Sequence, residues 1–100
     1  MPQLTVIAKF KAKDGCTEKV RTQLRKLLEP TRKEEGCINY DLHEDNIETG
    51  IFIFYENWES NEMLEKHLSS AHIKDFRSVL PSIIEVAEVY KMTKLQSASE

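Results

Sequence analysis

The stretch of sequence that decides the fold is residues 51–58, Ile-Phe-Ile-Phe-Tyr-Glu-Asn-Trp. β-Branched and aromatic residues dominate it, which predicts a β-strand over the whole stretch. From Ile51 to Tyr55 the side chains are apolar or aromatic on both faces, whereas an antiparallel strand with one face in water alternates apolar and polar residues. We therefore expect both faces of this strand to be covered.

The pattern on either side predicts three more strands and the helices that connect them. Apolar residues of the first strand alternate, and Val20, Leu24, Leu27 and Leu28 form one helical stripe. Predicted strands cover residues 4–11, 37–44, 51–58 and 83–93, and predicted helices cover residues 17–35 (kinked or interrupted by Pro30), a segment capped by Ser60, and residues 72–80, ended by Pro81. The order β-α-β-β-α-β is that of a ferredoxin-like α+β domain.

The last predicted strand repeats the two-faced pattern of residues 51–58. Ile84 and Val86 are expected on one face, and Ile83, Ala87 and Val89 on the other. Two helices cover only one face of such a sheet, so a second copy of the chain packing sheet to sheet is the simplest cover. The sequence predicts a homodimer; the alternative is a central strand buried locally by long side chains.

Composition narrows the class of protein. The 100 residues, numbered 1–100, suit a single domain, with residues 96–100 expected to be disordered. The net charge is −3 and basic residues are interleaved with acidic ones, which argues against nucleic acid or an anionic membrane as a partner. The N-terminus lacks the features of a signal peptide, so we expect a cytoplasmic protein. Cys16 and Cys37 are expected to be structural.

Glu56 is the first candidate for chemistry. By alternation it shares a face with Phe52, Phe54 and Trp58. A carboxylate beside aromatic rings must be paired, hydrogen-bonded or raised in pKa. The alternative is a charge at the strand end that reaches solvent.

His67 and His72 are the other candidates. His67 shares the apolar face of its helix with Leu64 and Leu68, so its ring should face the sheet; a core histidine is the alternative. His72 begins the next helix, where a capping role is the alternative. At i and i+5 the two are about 140° apart on a regular helix, and they could converge only if the chain bends at residues 69–70. A metal would then need Glu56 or His43 as well, and we expect none.

The remaining polar residues suit acid/base chemistry better than nucleophilic or phosphate chemistry. Tyr40 and Trp58 combine an aromatic ring with a polar group, which suits either packing or a pocket wall. With three glycines, the chain has no glycine-rich phosphate loop, and no nucleophile motif is present. The set suits proton abstraction from a flat, hydrophobic substrate.

Three segments carry a resemblance to a known family. They are Glu34-Glu35-Gly36-Cys37-Ile38-Asn39-Tyr40-Asp41-Leu42, Tyr55-Glu56-Asn57-Trp58-Glu59-Ser60 and His67-Leu68-Ser69-Ser70-Ala71-His72. They resemble the antibiotic-biosynthesis monooxygenase superfamily, most closely its small quinol monooxygenase-like branch. The resemblance implies a dimeric α/β barrel that oxygenates a quinol or polycyclic phenol with dioxygen and no cofactor.

The resemblance also implies roles for residues of the pocket. His67 or His72 would be the catalytic base, Glu56 its orienting partner, and Trp58, Tyr40 and Phe54 the substrate-binding residues. Glu56, His67 and His72 match the family's autoinducer phospho-sugar isomerases as well. An acid/base isomerase therefore remains an alternative, with Lys66 and Arg77 as the cationic candidates for a phosphate, and so does a non-catalytic stress protein that binds aromatic molecules.

Overall fold

The computed structural model describes residues 3–98. In this part of the chain the elements are β1 (Leu4–Ala12), α1 (Thr17–Arg25), α2 (Leu28–Arg32), β2 (Cys37–Glu44), β3 (Ile51–Trp58), α3 (Asn61–Leu68), α4 (Ala71–Ile83) and β4 (Ile84–Met92). Residues 1, 2, 99 and 100 lie outside the described residues. The expectation of an N-terminus without signal-peptide features therefore falls outside them at residues 1 and 2, and the expectation of a disordered C-terminus falls outside them at residues 99 and 100. None of the helices described is both long and apolar enough to cross a membrane.

The four strands form one antiparallel sheet in the order β2-β3-β1-β4. The predicted ferredoxin-like βαββαβ arrangement is confirmed, and β2 and β3 form the predicted hairpin. Alternation directs Val6, Ala8 and Phe10 of the central strand β1 towards the helices, and all three are buried. The core therefore lies between one face of the sheet and the helical layer.

The helix predicted over residues 17–35 is interrupted, as expected, but not at Pro30, and it ends earlier than predicted. The chain leaves α1 after Arg25 and forms a separate short helix, α2. Pro30 does not cause this break, because it is the third residue of α2, where the backbone N–H groups lack partners within the helix and proline is tolerated. The interruption falls before Leu28, and the chain is non-helical again from Lys33 onward.

The α3–α4 pair is close to the prediction, with one error. Ser60 caps α3 as expected, since its Oγ accepts a hydrogen bond from the Met63 N–H. The chain then bends at residues 69 and 70 and enters α4. The predicted end of this helix at Pro81 is wrong: α4 continues to Ile83, because a proline in the last turn removes a single intrahelical hydrogen bond.

β4 differs from its prediction in bounds and in facing. Ile83 belongs to α4, and the β1–β4 register shifts between Lys11 and Ala12. Ala12 therefore lies opposite Ile84, while Lys11 lies opposite Val86. Because opposed residues share a face, Ile84 is in the core and Val86 is on the other face of the sheet, so the prediction that these two share a face is wrong. The expectation that Ala87 and Val89 lie on the opposite face from Ile84 is wrong as well, since both pair with core-facing residues of β1.

Candidate active site

A cavity of about 290 Å³ lies between the sheet and the helical layer. Most of its wall is apolar and comes from β1, β3, β4, α3 and α4. Five lining residues carry polar groups: Tyr40, Glu56, His67, Arg77 and Lys91. An apolar cavity with a few convergent polar side chains is the usual form of a small-molecule site.

His67 is the histidine of the cavity wall. It lies on the buried face of α3 beside Leu64 and is 3% exposed, as the sequence predicted. Its Nδ1 is 2.7 Å from Glu34 Oε2. A carboxylate only accepts, so Nδ1 carries the hydrogen, and the neutral ring then has an unprotonated Nε2. No residue within 3–98 is hydrogen-bonded to Nε2, which is therefore the nitrogen available to a ligand.

The same Glu34 oxygen also contacts His72. The bend between α3 and α4 brings His72 Nε2 to 3.0 Å from Glu34 Oε2, with Thr31 Oγ1 at 3.2 Å and Ser70 Oγ at 3.3 Å. The two histidines thus converge on one carboxylate from two different helices. Their ring centroids are 6.0 Å apart.

Burial decides the protonation of His67. Desolvation lowers the pKa of the imidazole below its ordinary value of 6.5, with smaller contributions in the same direction from His72 and Arg77. The hydrogen bond and the negative charge of Glu34 raise the pKa but do not cancel the effect of burial. His67 is therefore neutral at neutral pH, which is the state a general base requires.

Glu56 is buried on the same side of the sheet. It is 4% exposed, so the alternative of a solvent-exposed strand-end charge is wrong. Its Oε1 accepts a hydrogen bond of 2.9 Å from Trp58 Nε1. Burial raises the pKa of the carboxyl group to about 7; the charge of Glu34 adds to the rise and the Trp58 bond opposes it. Glu56 can consequently exchange a proton in the physiological pH range.

Tyr40 and Phe54 form part of the cavity wall. Their rings are stacked with centroids 4.5 Å apart, and the Tyr40 ring meets the His67 ring edge-on at 5.5 Å. Burial raises the pKa of the Tyr40 hydroxyl well above its ordinary value. Tyr40 therefore stays neutral and contributes shape and a hydroxyl group rather than a base.

The structure places the predicted site residues in two groups. Glu56, His67, Tyr40 and Phe54 line the cavity, whereas Trp58 and His72 are not among the lining residues. Trp58 is 0% exposed and lies beside His67, with ring centroids 4.7 Å apart. The carboxylate that contacts His67 is Glu34, not the expected partner Glu56.

Sequence reasoning missed two residues of this region. Thr31 of α2 and Glu34 in the turn that follows reach His72. Glu34 was expected in the last turn of a helix over residues 17–35, and nothing in its spacing pointed to His67. Of the two cationic candidates from the sequence, Arg77 lines the cavity, whereas Lys66 contacts Glu35 on the surface.

A metal ion is one further possibility for Glu34, His67 and His72. Their ligand atoms lie within 4.8 Å of one another, a convergence that the sequence made conditional on the bend at residues 69–70. The 2.7 and 3.0 Å contacts to Glu34 are hydrogen-bond distances. Ligands at 2.0–2.1 Å around a tetrahedral zinc would stand about 3.3 Å apart. The geometry fits a hydrogen-bonded cluster better than a zinc centre.

Together, the fold and the cavity define a class: a small ferredoxin-like protein whose acid/base groups lie in an apolar cavity between sheet and helices. The sequence profile of the family described as "Antibiotic biosynthesis monooxygenase" matches residues 3–79, more than three quarters of the chain. This chain belongs to the antibiotic biosynthesis monooxygenase family.

Individual relatives agree with this assignment. "Putative monooxygenase Rv0793" of Mycobacterium tuberculosis is 30% identical over 81% of this chain and 79% of its own length. "Uncharacterized protein sll1783" of Synechocystis is 29% identical over 94% of this chain. The chain spans only 66% of that protein's length. The crystal structure of PA3566 from Pseudomonas aeruginosa superposes with a TM-score of 0.93, at 30% identity, over 96% of this chain and 97% of that one.

Proposed function

We propose that this chain is a monooxygenase that oxygenates a quinol or a polycyclic phenol with dioxygen and without a flavin, haem or metal. The observation that carries the proposal is His67, a neutral base whose Nε2 is free in an apolar cavity lined by aromatic rings. Family membership, and the name of the Mycobacterium tuberculosis relative, support the reaction class.

The proposed reaction begins with a proton transfer. His67 Nε2 accepts the proton of a phenolic hydroxyl, and the phenolate then gives one electron to dioxygen. The resulting radical pair forms a carbon–oxygen bond, which yields a ring peroxide. Cleavage of the O–O bond with loss of the ring proton leaves a hydroxyquinone and water. A quinol supplies all four electrons that dioxygen takes up, so no other reductant is needed.

The cavity contributes desolvation and orientation to this step. An apolar wall gives the phenolate no water shell, so the desolvated anion gives an electron to dioxygen more readily. The same wall holds a flat ring near the base. The stacked Tyr40 and Phe54 rings offer a surface for such a substrate. Glu56, which titrates near pH 7, is placed to accept or return a second proton.

Oxygen uptake with chemically reduced menadiol tests the proposal. We expect uptake above autoxidation, unaffected by a chelator, with incorporation of one labelled oxygen atom into the product. His67→Gln should lower the rate by about 100-fold or more, while His43→Gln, at an exposed histidine on β2, should leave it unchanged. Uptake equal to that of heat-treated protein, or a fully active His67→Gln variant, would contradict the proposal.

The pH dependence provides a second readout of the same experiment. Because burial lowers the pKa of His67, the rate should stay high down to pH 6.5 and fall only at lower pH. Burial is the main cause of this low pKa, and the titratable groups Glu34, His72 and Arg77 that face the ring modify it. A midpoint above 6.5 that persists in Glu56→Gln would argue against His67 as the base.

A second candidate function is an acid/base isomerase of a small phosphorylated metabolite. The observation that favours it is the presence of Arg77 and Lys91 in the cavity wall, since a phosphate requires a cationic anchor. Lys91 already contacts Glu65 at 3.7 Å, and the rest of the wall is apolar, which favours the aromatic substrate. Turnover of a sugar phosphate without oxygen consumption would select the isomerase, and quinone binding without turnover would select a binding protein.

A further inference from the structure

Glu34, His67 and His72 form a hydrogen-bonded group, called here the Glu34 cluster, whose members differ in exposure from the cavity to the solvent. The side chain of His67 is 4% exposed, that of Glu34 is 18% exposed, and that of His72 is 23% exposed. His67 lines the cavity, whereas Glu34 and His72 do not. A substrate in the cavity can therefore touch His67 directly but reaches the other two only through it.

We propose that Glu34 is the positioning residue of this site, holding His67 in the tautomer that presents Nε2 to the substrate, and that His72 acts by holding Glu34. This inference deepens the proposed function and rests on it for its catalytic consequence. It also assigns His72 a positioning role in place of the base role expected from the sequence.

The geometry of Glu34 supports the first part of the proposal. Its Oε2 lies 2.7 Å from His67 Nδ1, so the N–H of that nitrogen is fixed and the ring cannot turn without breaking a charge-assisted hydrogen bond. When Nε2 takes up a proton, the ring becomes cationic in a buried position. Glu34 is the carboxylate in contact with it, and its charge stabilises the imidazolium that forms.

The surroundings of His72 support the second part. His72 Nε2 can donate to Glu34 Oε2 at 3.0 Å, and Thr31 and Ser70 hydroxyl oxygens lie within 3.3 Å of the same nitrogen. The Ser70 hydroxyl donates to the His67 carbonyl oxygen at 2.7 Å, which ties the bend between α3 and α4 to the cluster. A partly exposed carboxylate is thereby held in one place by a second helix.

Two substitutions separate the charge of Glu34 from its hydrogen bond. Glu34→Gln keeps an oxygen that can accept from Nδ1–H but removes the charge, whereas Glu34→Ala removes both. We expect Glu34→Gln to lower the pKa of His67 and move the acid limb of the rate to lower pH, with a loss of kcat of about 10- to 100-fold, the range seen when a histidine loses its orienting partner. Glu34→Ala should also mix the His67 tautomers.

The neighbouring Glu35 offers a matched control. Its side chain is 79% exposed and its salt-bridge partner is Lys66 on the surface, so Glu35→Gln removes one negative charge from the next residue without touching the cluster. Tautomer and pKa of His67 are read by long-range ¹H–¹⁵N correlation spectra of histidine-labelled protein, which need no substrate. Glu35→Gln should change neither.

A double-mutant cycle tests the role of His72. If His72 acts through Glu34, His72→Ala lowers the rate in the wild-type background but adds little in Glu34→Ala, where there is no side chain left for His72 to hold. Additive losses would overturn this part of the proposal, and so would a His67 pKa and tautomer that stay unchanged in Glu34→Ala. If the His67 pKa and tautomer change in the Glu34 variants as expected but the wild-type protein has no oxygenase activity, the positioning role of Glu34 is supported and the proposed function is contradicted.

Discussion

The pKa of the Glu56 carboxyl group lies in the physiological pH range because of the fold. Its ordinary pKa of 4.5 is raised to about 7, chiefly because β3 places the side chain in the core. The groups that face it are Trp58, which donates a hydrogen bond, and Glu34, whose charge disfavours ionisation. Between pH 4.5 and about 7, the folded chain therefore keeps a proton on Glu56 that the unfolded chain has already released.

The shift predicts how stability depends on pH. For an acid whose folded-state pKa is raised, the folded state is favoured below the unfolded value of 4.5 and loses stability as pH rises to about 7. Glu56→Gln keeps an acceptor for Trp58 but cannot ionise. We expect it to match the wild type at pH 4.5 and to exceed it at pH 8 by up to the order of 3 kcal/mol, measured by urea unfolding. Parallel pH profiles for the two proteins would contradict this.

At the residue scale, the sequence predicted what alternation and helical periodicity determine. Glu56 and His67 were placed on buried faces correctly, because period 2 and period 3.6 fix the facing of a side chain within its own element. Glu34 lies in the turn between α2 and β2, 33 positions from His67, where no periodicity applies. Long-range pairing of that kind depends on how elements pack, and a single sequence does not encode it locally.

At the element scale, the connection from α2 to β2 determines where Glu34 lies. Gly36 has φ +83°, which L-residues adopt rarely, and its backbone passes directly under the Met63 side chain of α3. Its carbonyl oxygen accepts a hydrogen bond from Glu59 N–H at 2.9 Å. The same turn thus brings α2, α3 and the end of β3 together beside the cluster.

Replacing Gly36 by Ala should therefore be costly. A Cβ at this position would overlap Met63 Cγ and Cβ, in addition to the strain of positive φ. We expect a loss of about 2–4 kcal/mol in the free energy of unfolding. Gly15→Ala is the matched control, because Gly15 has φ +79° but no atom within 4 Å of the added Cβ, so only about 1–2 kcal/mol should be lost. Equal losses would show that the Met63 contact relaxes freely.

The errors in the predicted elements also have local causes. Strand bounds were accurate for β2 and β3, where apolar patterning is dense and Gly36 and Gly50 mark the turns. Pro30 and Pro81 were taken as helix breakers, yet each lies inside a helix near an end, where a missing N–H has little consequence. The β1–β4 register shift has no sequence signal that alternation alone can detect.

At the scale of the whole molecule, one face of the sheet has no helix over it in the described chain. The molecule measures 47 × 32 × 18 Å, which is thin enough for one sheet and one helical layer. A row of cross-strand neighbours, Tyr55, Ile7 and Tyr90, runs across the uncovered face. Tyr55 and Tyr90 are 44% and 43% exposed, and Met92 beside them is 46% exposed. Exposed apolar rows of this kind are typical of interfaces.

A second copy of the chain is the partner that we propose for this face, as the two-faced patterning of β3 predicts. Sedimentation equilibrium should give a mass of about twice the 11.6 kDa of one chain. The double variant Tyr55→Glu/Tyr90→Glu places four carboxylates in a two-fold interface and should shift the protein to monomer. Ile47→Glu, at a residue 94% exposed in the β2–β3 connection, controls for added charge and should remain dimeric. A wild-type monomer, or a double variant that still dimerises, would mean that the aromatic row is not the contact and that the open face of the sheet has another role.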